Sequence, residues 1–363
     1  MPGLFSTKVE QSTPIPLFLA MPTTGTINYI VCQEPGRFML KQKKAPQRKS
    51  AEALLKIEKI GICGTDLHAY SGHQPYFTYP RILGHELAAK ILEIDPHPTL
   101  SAGDPVVVMP YLSCGSCIAC RQGKSNCCTE LKVLGVHTDG GMQEVISLPV
   151  ELLIPAPGLS FKEMAIVEPL AIGAHAVRRA QITLGEFVAV IGCGPIGLGI
   201  LKLAQIAGAR VIALDLNEQR LQFARSQLGV DHALKVDQDA LDSLKQITGN
   251  DLATAVFDAT GNRQALESGH RYMSHGGRYL LVGLSSDTLG FSHPEIHAKE
   301  TTLMCSRNAT REDFYQVISA LEKQLFPVES FVTHMVPFHR MIDHFKEWLD
   351  PGSGVIKPMI DFN

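Results

Sequence analysis

The chain has no long unbroken hydrophobic run, no excess of one charge and no even set of cysteines behind a secretory leader. Each absence removes a class of function. Its longest apolar stretch, residues 187–204, is interrupted by four glycines, a proline and Lys202, so no membrane span is expected. Lys and Arg total 33 against 36 Asp and Glu, a net charge of −3. No global field therefore points to nucleic acid. The basic run at 41–49 reads as the solvated edge of a hairpin. The first 25 residues are rich in Thr, Ser and Pro, and their apolar patch at 15–20 is too short for a signal segment. They read as a flexible tail without a function of its own, within which Met21 offers a second start. Nine cysteines is an odd number, and five of them fall between Cys114 and Cys128. Crowding of that kind, with no secretory signal, suggests metal ligation in a reducing cytosol rather than disulfides.

What is present is ordinary globular composition, 45% hydrophobic and 19% charged, over 363 residues, enough for two cores. Up to about residue 109, short β segments at 28–32, 52–57 and 105–109 are separated by turn residues without βαβ regularity. From Glu186 the period changes. An apolar strand at 187–191 runs into Gly192-Cys193-Gly194-Pro195-Ile196-Gly197, which opens a helix toward Gly208, and a second strand at 211–215 ends on Asp215. Glycines at these places let the chain turn tightly and let a pyrophosphate approach a helix N-terminus. An acidic residue closing the second strand accepts hydrogen bonds from an adenosine ribose diol and repels a 2′-phosphate. A glycine motif alone is weak, but strand, glycines, helix, strand and Asp in register are strong. Further strands are expected at 253–259, 278–284 and 301–306, with helices at 219–228 and 264–274, giving a doubly wound parallel sheet. Beyond residue 311 a helix and a β-like segment at 355–360 are expected to pack back on the first half.

Two constellations carry metal chemistry. Cys114, Cys117, Cys120 and Cys128 can close all four positions of a tetrahedral zinc with one short lobe, leaving no room for substrate. Cys127 competes with Cys128 on spacing alone, and the spacings do not follow ferredoxin patterns. Cys63 and His85 are two of the three ligands of an open, catalytic zinc site, and Thr65 and His68 between them suit proton transfer to solvent. Taken singly, Cys63 also suits a small core position and His85 a turn. Glu168, at the start of a helix, says little by itself, because acidic residues favour that position on any surface.

Together the strings GICGTDLH (61–68), GHE (84–86), the four-cysteine lobe, EPLAIGAHA (168–176) and GCGPIGL (192–198) resemble the zinc-dependent medium-chain dehydrogenase/reductase family, over nearly the whole chain from about Thr26. The resemblance implies an α/β protein: a GroES-like β-rich catalytic domain (26–170, completed by 309–363) around a Rossmann NAD-binding domain (171–308). It selects Cys128 through the family pattern Cys-x2-Cys-x2-Cys-x7-Cys. It makes Cys63 and His85 catalytic zinc ligands, with Asp66 behind His85 and Thr65 and His68 the proton relay. Either Glu86 or Glu168 is the carboxylate ligand, with Glu86 preferred in the resting site and Glu168 behind it or exchanging. Gly192, Gly194, Pro195, Ile196, Gly197, Asp215, Arg220, Val282 and Leu284 are expected to line the NAD site. Two zinc ions, one catalytic and one structural, are implied.

Within the family the chain looks nearest the sorbitol and threonine dehydrogenase branch, and more narrowly L-galactonate and L-gulonate 5-dehydrogenases. Residues 72–77, 135–141 and 306–310 carry that likeness, with His73, Met142 and Cys305 departing from it. The implied function is oxidation of a secondary alcohol of a sugar acid or polyol to a ketone, with hydride passing to NAD. L-threonine 3-dehydrogenase, a sorbitol-type enzyme and a non-catalytic NAD-binding sensor or structural protein are the alternatives. Arg307, after the last strand, is the candidate for a substrate carboxylate, or else a cofactor or subunit contact. A cytoplasmic homo-oligomer, dimer or tetramer, acting on a small molecule and not on nucleic acid or membrane, is expected.

Overall fold

The computed structural model describes residues 25–73, 77–350 and 352–363. The expected tail, apart from Gly25, lies outside the described residues, as do Gln74, Pro75 and Tyr76. The first strands, β1 (Thr26–Glu34) and β2 (Arg37–Lys44), form an antiparallel hairpin whose second strand buries Phe38 and then alternates half-buried and exposed. The basic run lies on its outer edge. β3 (Glu52–Gly61), β4 (Glu86–Glu93), β5 (Pro105–Val108), β6 (Val145–Pro149) and β7 (Leu153–Pro155) build the first sheet. Helix α1 (Gly64–Tyr70) leaves β3 immediately, and α2 (Val167–Ala180) leads out of this sheet.

A parallel six-stranded sheet follows. Its strands in chain order are β8 (Phe187–Ile191), β9 (Arg210–Asp215), β10 (His232–Lys235), β11 (Ala253–Asp258), β12 (Met273–Leu281) and β13 (Thr302–Cys305). Their spatial order is β10-β9-β8-β11-β12-β13, the doubly wound arrangement with its switch point between β8 and β11. β8 is apolar throughout because both faces are covered. Helix α3 (Pro195–Ile206) begins at that switch point with Pro in its first turn and Gly194 as cap.

After helix α4 (Arg311–Glu322), the strands β14 (His334–Pro337) and β15 (Pro358–Asp361) rejoin the first sheet, where β15 pairs antiparallel with β3. One core cluster runs through both sheets by way of α2 and α4, including Val107 and Ile154 on one side and Val188 and Phe257 on the other.

The expected elements need three corrections. The helix expected at 264–274 ends at Tyr272, and Met273 instead opens β12, because its side chain is fully buried in the second core of the sheet. β12 stops at Leu281, since Val282 and Gly283 both turn their N–H groups to Asp258 O; Val282 and Leu284 therefore stand on a loop. The edge strand β10 has no apolar run to announce it: its residues are half-buried or exposed and carry His232 and Lys235.

Candidate active site and metal centres

Cys63 caps α1 with extended backbone, so its thiol stands at the end of β3. Asp66 ties the two ligand-bearing segments together. Its Oδ2 accepts from the Cys63 N–H (3.0 Å) and its Oδ1 from the Gly84 N–H (3.2 Å), one residue before His85. The same Oδ1 lies 3.8 Å from His85 Nδ1, an ion-pair separation beyond hydrogen-bond reach, and His85 Nδ1 has no hydrogen-bond partner among the described residues. Cys63, His85 and Glu86 present one ligand atom each, all within 4.8 Å of one another. Gly61 makes room for this arrangement, because any Cβ there would collide with the Glu86 carboxylate.

Glu86 is fully buried, and Lys357 Nζ donates to both of its oxygens at 2.7 and 2.8 Å and to Ile62 O at 3.0 Å. Glu168, the alternative carboxylate that the resemblance implied, is 2% exposed. Its Oε1 accepts from Tyr111 OH at 2.5 Å, and its buried Oε2 has no partner. Burial, with the negative Glu86 nearby, pushes its pKa up to about 7 although His85 opposes the shift. Burial alone would depress His85, but Asp66, Cys63 and Glu168 more than offset it and raise its pKa. A half-buried thiol, an imidazole with Nδ1 unpartnered, a carboxylate held by a single ammonium and a carboxyl with a bare Oε2 form a set of lone pairs that suits a cation. The donor types fit zinc, two nitrogen and sulfur ligands and a carboxylate.

Thr65 is half-buried and His68 exposed on α1, three residues apart and therefore on one face. Partial burial and the neighbouring His73 push the His68 pKa down.

In the lobe, the sulfurs of Cys114, Cys117, Cys120 and Cys128 lie within 4.8 Å of one another, while Cys127 is exposed and outside the cluster. Backbone N–H groups already face the sulfurs: Cys114 N–H donates to Cys128 Sγ (3.2 Å) and Cys117 N–H to Cys114 Sγ (3.4 Å). N–H groups of Cys120 and Thr129 draw the Cys117 thiol down to about 5, toward the thiolate that binds metal. None of the nine cysteines is in a disulfide. Four convergent sulfurs fit a closed tetrahedral zinc.

At the switch point, Gly192 has φ +93°, and a Cβ on Gly197 would overlap Gly192 O, so this turn admits only glycine. At Gly194 a Cβ would meet open space, the side from which a pyrophosphate approaches α3. Pro195 and Ile196 form the first turn of that helix. Asp215 ends β9 with its carboxylate held by the Cys193 N–H (2.6 Å) and the Asn217 N–H (2.8 Å). Arg220 follows on the next short helix, and Val282 and Leu284 stand on the loop beyond β12. The turn and the oriented carboxylate fit a dinucleotide.

Arg307 is exposed just beyond β13, and its guanidinium has no hydrogen-bond or ion-pair partner among the described residues. It is near enough to His137, in the first domain, to help depress that imidazole after the effect of burial.

Sequence reading missed Lys357, Tyr111 and Asp258. Lys357 lies between apolar Ile356 and Pro358, and such a lysine ordinarily projects to water; nothing local marks its acidic partner. Asp258 is fully buried at the end of β11, its Oδ2 without a partner among the described residues; an acidic residue closing a strand at the switch point was the signal for it.

The alcohol dehydrogenase GroES-like domain family matches residues 49–158, and the zinc-binding dehydrogenase family matches residues 195–323. An L-galactonate-5-dehydrogenase of Escherichia coli K12 is 41% identical over 339 residues, 93% of this chain and 100% of that one. A 2-dehydro-3-deoxy-L-galactonate 5-dehydrogenase of Pseudoalteromonas atlantica is 31% identical over 322 residues, 88% and 93% of the two chains. The crystal structure of an alcohol dehydrogenase from E. coli CFT073 complexed with NADH superposes with TM-score 0.86 at 30% identity, covering 93% of this chain and 99% of that one. Among the described residues no helix is long and apolar enough to cross a membrane. With the open thiol–imidazole–carboxylate site, the closed four-sulfur lobe and the dinucleotide turn all in place, the chain belongs to the zinc-type alcohol dehydrogenase family of nicotinamide-dependent oxidoreductases.

Proposed function

We propose that this enzyme oxidises a secondary hydroxyl of a sugar acid to a ketone with NAD⁺ as acceptor, in the manner of an L-galactonate or L-gulonate 5-dehydrogenase. The observation that carries the substrate class is Arg307, an unpartnered guanidinium at the carboxyl edge of the parallel sheet and within electrostatic reach of His137 in the opposite domain. A sugar acid brings a fixed carboxylate that such a fork binds with two parallel hydrogen bonds. The Escherichia coli relative, named for L-galactonate, supports the same class.

When bound, zinc supplies a Lewis acid that makes the alcohol proton labile, and the nicotinamide supplies the hydride acceptor. Cys63, His85 and a carboxylate would hold the metal. Glu86 would be the resting third ligand, with Glu168, whose Oε2 has no partner among the described residues, behind it or exchanging with it. Lys357 offsets the negative charge that two carboxylates and a thiolate would otherwise accumulate. Thr65 takes the alcohol proton and His68, at the surface, releases it; the depressed pKa of His68 favours that release. Asp215 turns an acceptor pair toward the ribose diol and repels a 2′-phosphate, which favours NAD⁺ over NADP⁺.

The catalytic unit comprises residues 26–170 with 309–363, and the cofactor unit residues 171–308. The outer side of β13 carries no strand among the described residues and exposes Leu303, which supports a homo-oligomer paired along that edge. Unpaired cysteines, including the exposed Cys127 of the lobe and Cys305, suit the reducing cytoplasm.

The deciding experiment is a panel of aldonates, polyols and L-threonine followed by NADH absorbance, repeated with Arg307→Met. Aldonates are expected to turn over best. Loss of a charged bidentate contact should raise aldonate KM by roughly one to two decades while changing sorbitol KM little. Equal losses on both substrates would assign Arg307 to the cofactor or the fold and remove the sugar-acid reading.

A further inference from the structure

A row of polar groups, with Asn126, His175 and Asp313 buried, runs from the four-cysteine lobe to the loop carrying Arg307, and the chemistry above makes no use of it. Asn126 sits in the short turn Ser125–Cys127 of the lobe and is 3% exposed. His175 and Arg178 lie on α2, and Asp313, with no exposed surface, lies in the first turn of α4. The Asp313 Oδ2 accepts from His175 Nδ1 (2.9 Å), Arg178 (3.0 Å) and both the N–H and hydroxyl of Thr310 (2.8 Å each). Its Oδ1 accepts from Arg178 Nε (2.7 Å).

Hydrogen-bond chemistry fixes the orientation of the whole row. Asn126 Nδ2 is 3.1 Å from Arg307 O and 3.1 Å from His175 Nε2. A carbonyl only accepts, so the atom facing it must be the amide nitrogen. The same nitrogen then donates its second hydrogen to His175 Nε2, which must offer a lone pair. The imidazole is therefore neutral and carries its proton on Nδ1, where Asp313 accepts it. Every donor has an acceptor, and the amide of Asn126 can point only one way.

The end of this row grips a constrained piece of backbone. Ser306 N–H donates to Leu281 O at 2.9 Å, fixing the approach to Arg307 from the sheet. Asn308 follows with φ +52°, in the left-handed region, and its Nδ2 reaches back to Asn126 O at 3.5 Å. Between these two anchors, the Arg307 carbonyl is held by the lobe.

We infer that Asn126 is a positioning residue for substrate selection: through the Arg307 carbonyl it sets where the Arg307 guanidinium stands in the cleft, so that the four-cysteine lobe anchors the substrate-discriminating loop. This rests on the reading of Arg307 as the partner of a substrate carboxylate. The lobe and the selecting side chain are far apart in sequence, and the side-chain amides of Asn126 and Asn308 join the lobe to the loop.

The test is a double-mutant cycle on the zinc-loaded enzyme, with NAD⁺ saturating and an aldonate and sorbitol as substrates. Asn126→Asp is nearly isosteric but faces the Arg307 carbonyl and the His175 lone pair with an acceptor. It should raise aldonate KM about five- to tenfold, with kcat on the aldonate and both constants on sorbitol within about twofold. In an Arg307→Met background, the same substitution should add nothing to aldonate KM. A full multiplicative effect in that background, or equal losses on aldonate and sorbitol, overturns the inference and leaves the role of Arg307 intact. If Arg307→Met itself fails to separate the two substrates, the sugar-acid reading falls first and takes this inference with it. Zinc content is measured on every variant. Should Asn126→Asp retain fewer than two zinc ions, Asn308→Gly carries the test, since it removes the contact to Asn126 O and relaxes the left-handed turn without touching the lobe's side chains. It is expected to raise aldonate KM about threefold with sorbitol unchanged; an unchanged aldonate KM there overturns the inference.

Discussion

The two cysteine constellations are built on opposite principles. The lobe takes four like ligands from one short stretch, leaves three of them half-buried, and turns its own backbone N–H groups to their sulfurs. The site at Cys63 takes unlike ligands from separate strands, buries His85, Glu86 and Glu168, and leaves Glu168 Oε2 and His85 Nδ1 without partners. Like ligands in a local loop saturate a metal and make structure. Unlike ligands drawn from a distance leave a position and an imbalance of charge, and that imbalance is where chemistry occurs.

That contrast is sharpest at Cys63. Cys63→Ser should abolish turnover and lower zinc from two ions per chain to about one, with the circular dichroism spectrum retained. Wild-type protein that holds one zinc or none after careful reconstitution would break the comparison at once. The next effect in size concerns the charge held against Glu86. Lys357→Met leaves a buried carboxylate without its ammonium and should cost about 3–5 kcal/mol in urea unfolding of the metal-free protein. A loss under about 1 kcal/mol would mean that Glu86 is served by water. Cys117→Ser should also remove one zinc, but from the lobe: Tm falls by several degrees while the remaining folded enzyme turns over. If activity vanished in proportion to zinc, the lobe would not be the structural partner of the pair.

Smaller effects follow. Asp215→Ser should narrow the preference for NAD⁺ over NADP⁺ by about one decade in kcat/KM. A wild type that uses both equally would displace Asp215 from the ribose. The smallest concerns acid. Burial works against the charge of Asp313, but His175, Arg178 and Thr310 hold its pKa below the ordinary carboxylate range. A group lowered on folding stabilises above its unfolded value, about 3.9, and loses that contribution as pH falls through the lower folded value. Asp313→Asn should therefore flatten the decline of urea midpoint below about pH 4, and an unchanged slope would deny Asp313 that role.

What could be read from the sequence follows the same divide. The lobe, the turn at 192–197 and Asp215 are legible because their partners lie within one supersecondary unit, where spacing and geometry are nearly the same thing. The strands of the parallel sheet are legible for their apolar runs, except β10, whose edge position leaves it polar. The Glu86–Lys357 pair spans 271 residues, Asn126 and the Arg307 carbonyl 181, and His175 and Asp313 138. No local pattern distinguishes those side chains from solvated ones. Glu168 shows the limit most plainly: by itself a glutamate in a first helical turn suits the surface, the family resemblance alone marked it, and the packing of Tyr111 against it shows a buried acid.

The return of β15 to β3 also sets an order of assembly during synthesis. The parallel sheet is one contiguous segment and can close as soon as β13 has left the ribosome, and the lobe can take its zinc earlier still. The catalytic ligands cannot be completed so early. Lys357 emerges 271 residues after the glutamate it neutralises, and β15, just behind it, supplies the antiparallel edge on which the strand before Cys63 rests. Until then the nascent chain holds a thiol, an imidazole and unbalanced carboxylates next to a partly built sheet. A chain released short of β15 would therefore hold the four-sulfur lobe and the whole parallel sheet, but Glu86 without its ammonium and β3 without its antiparallel edge.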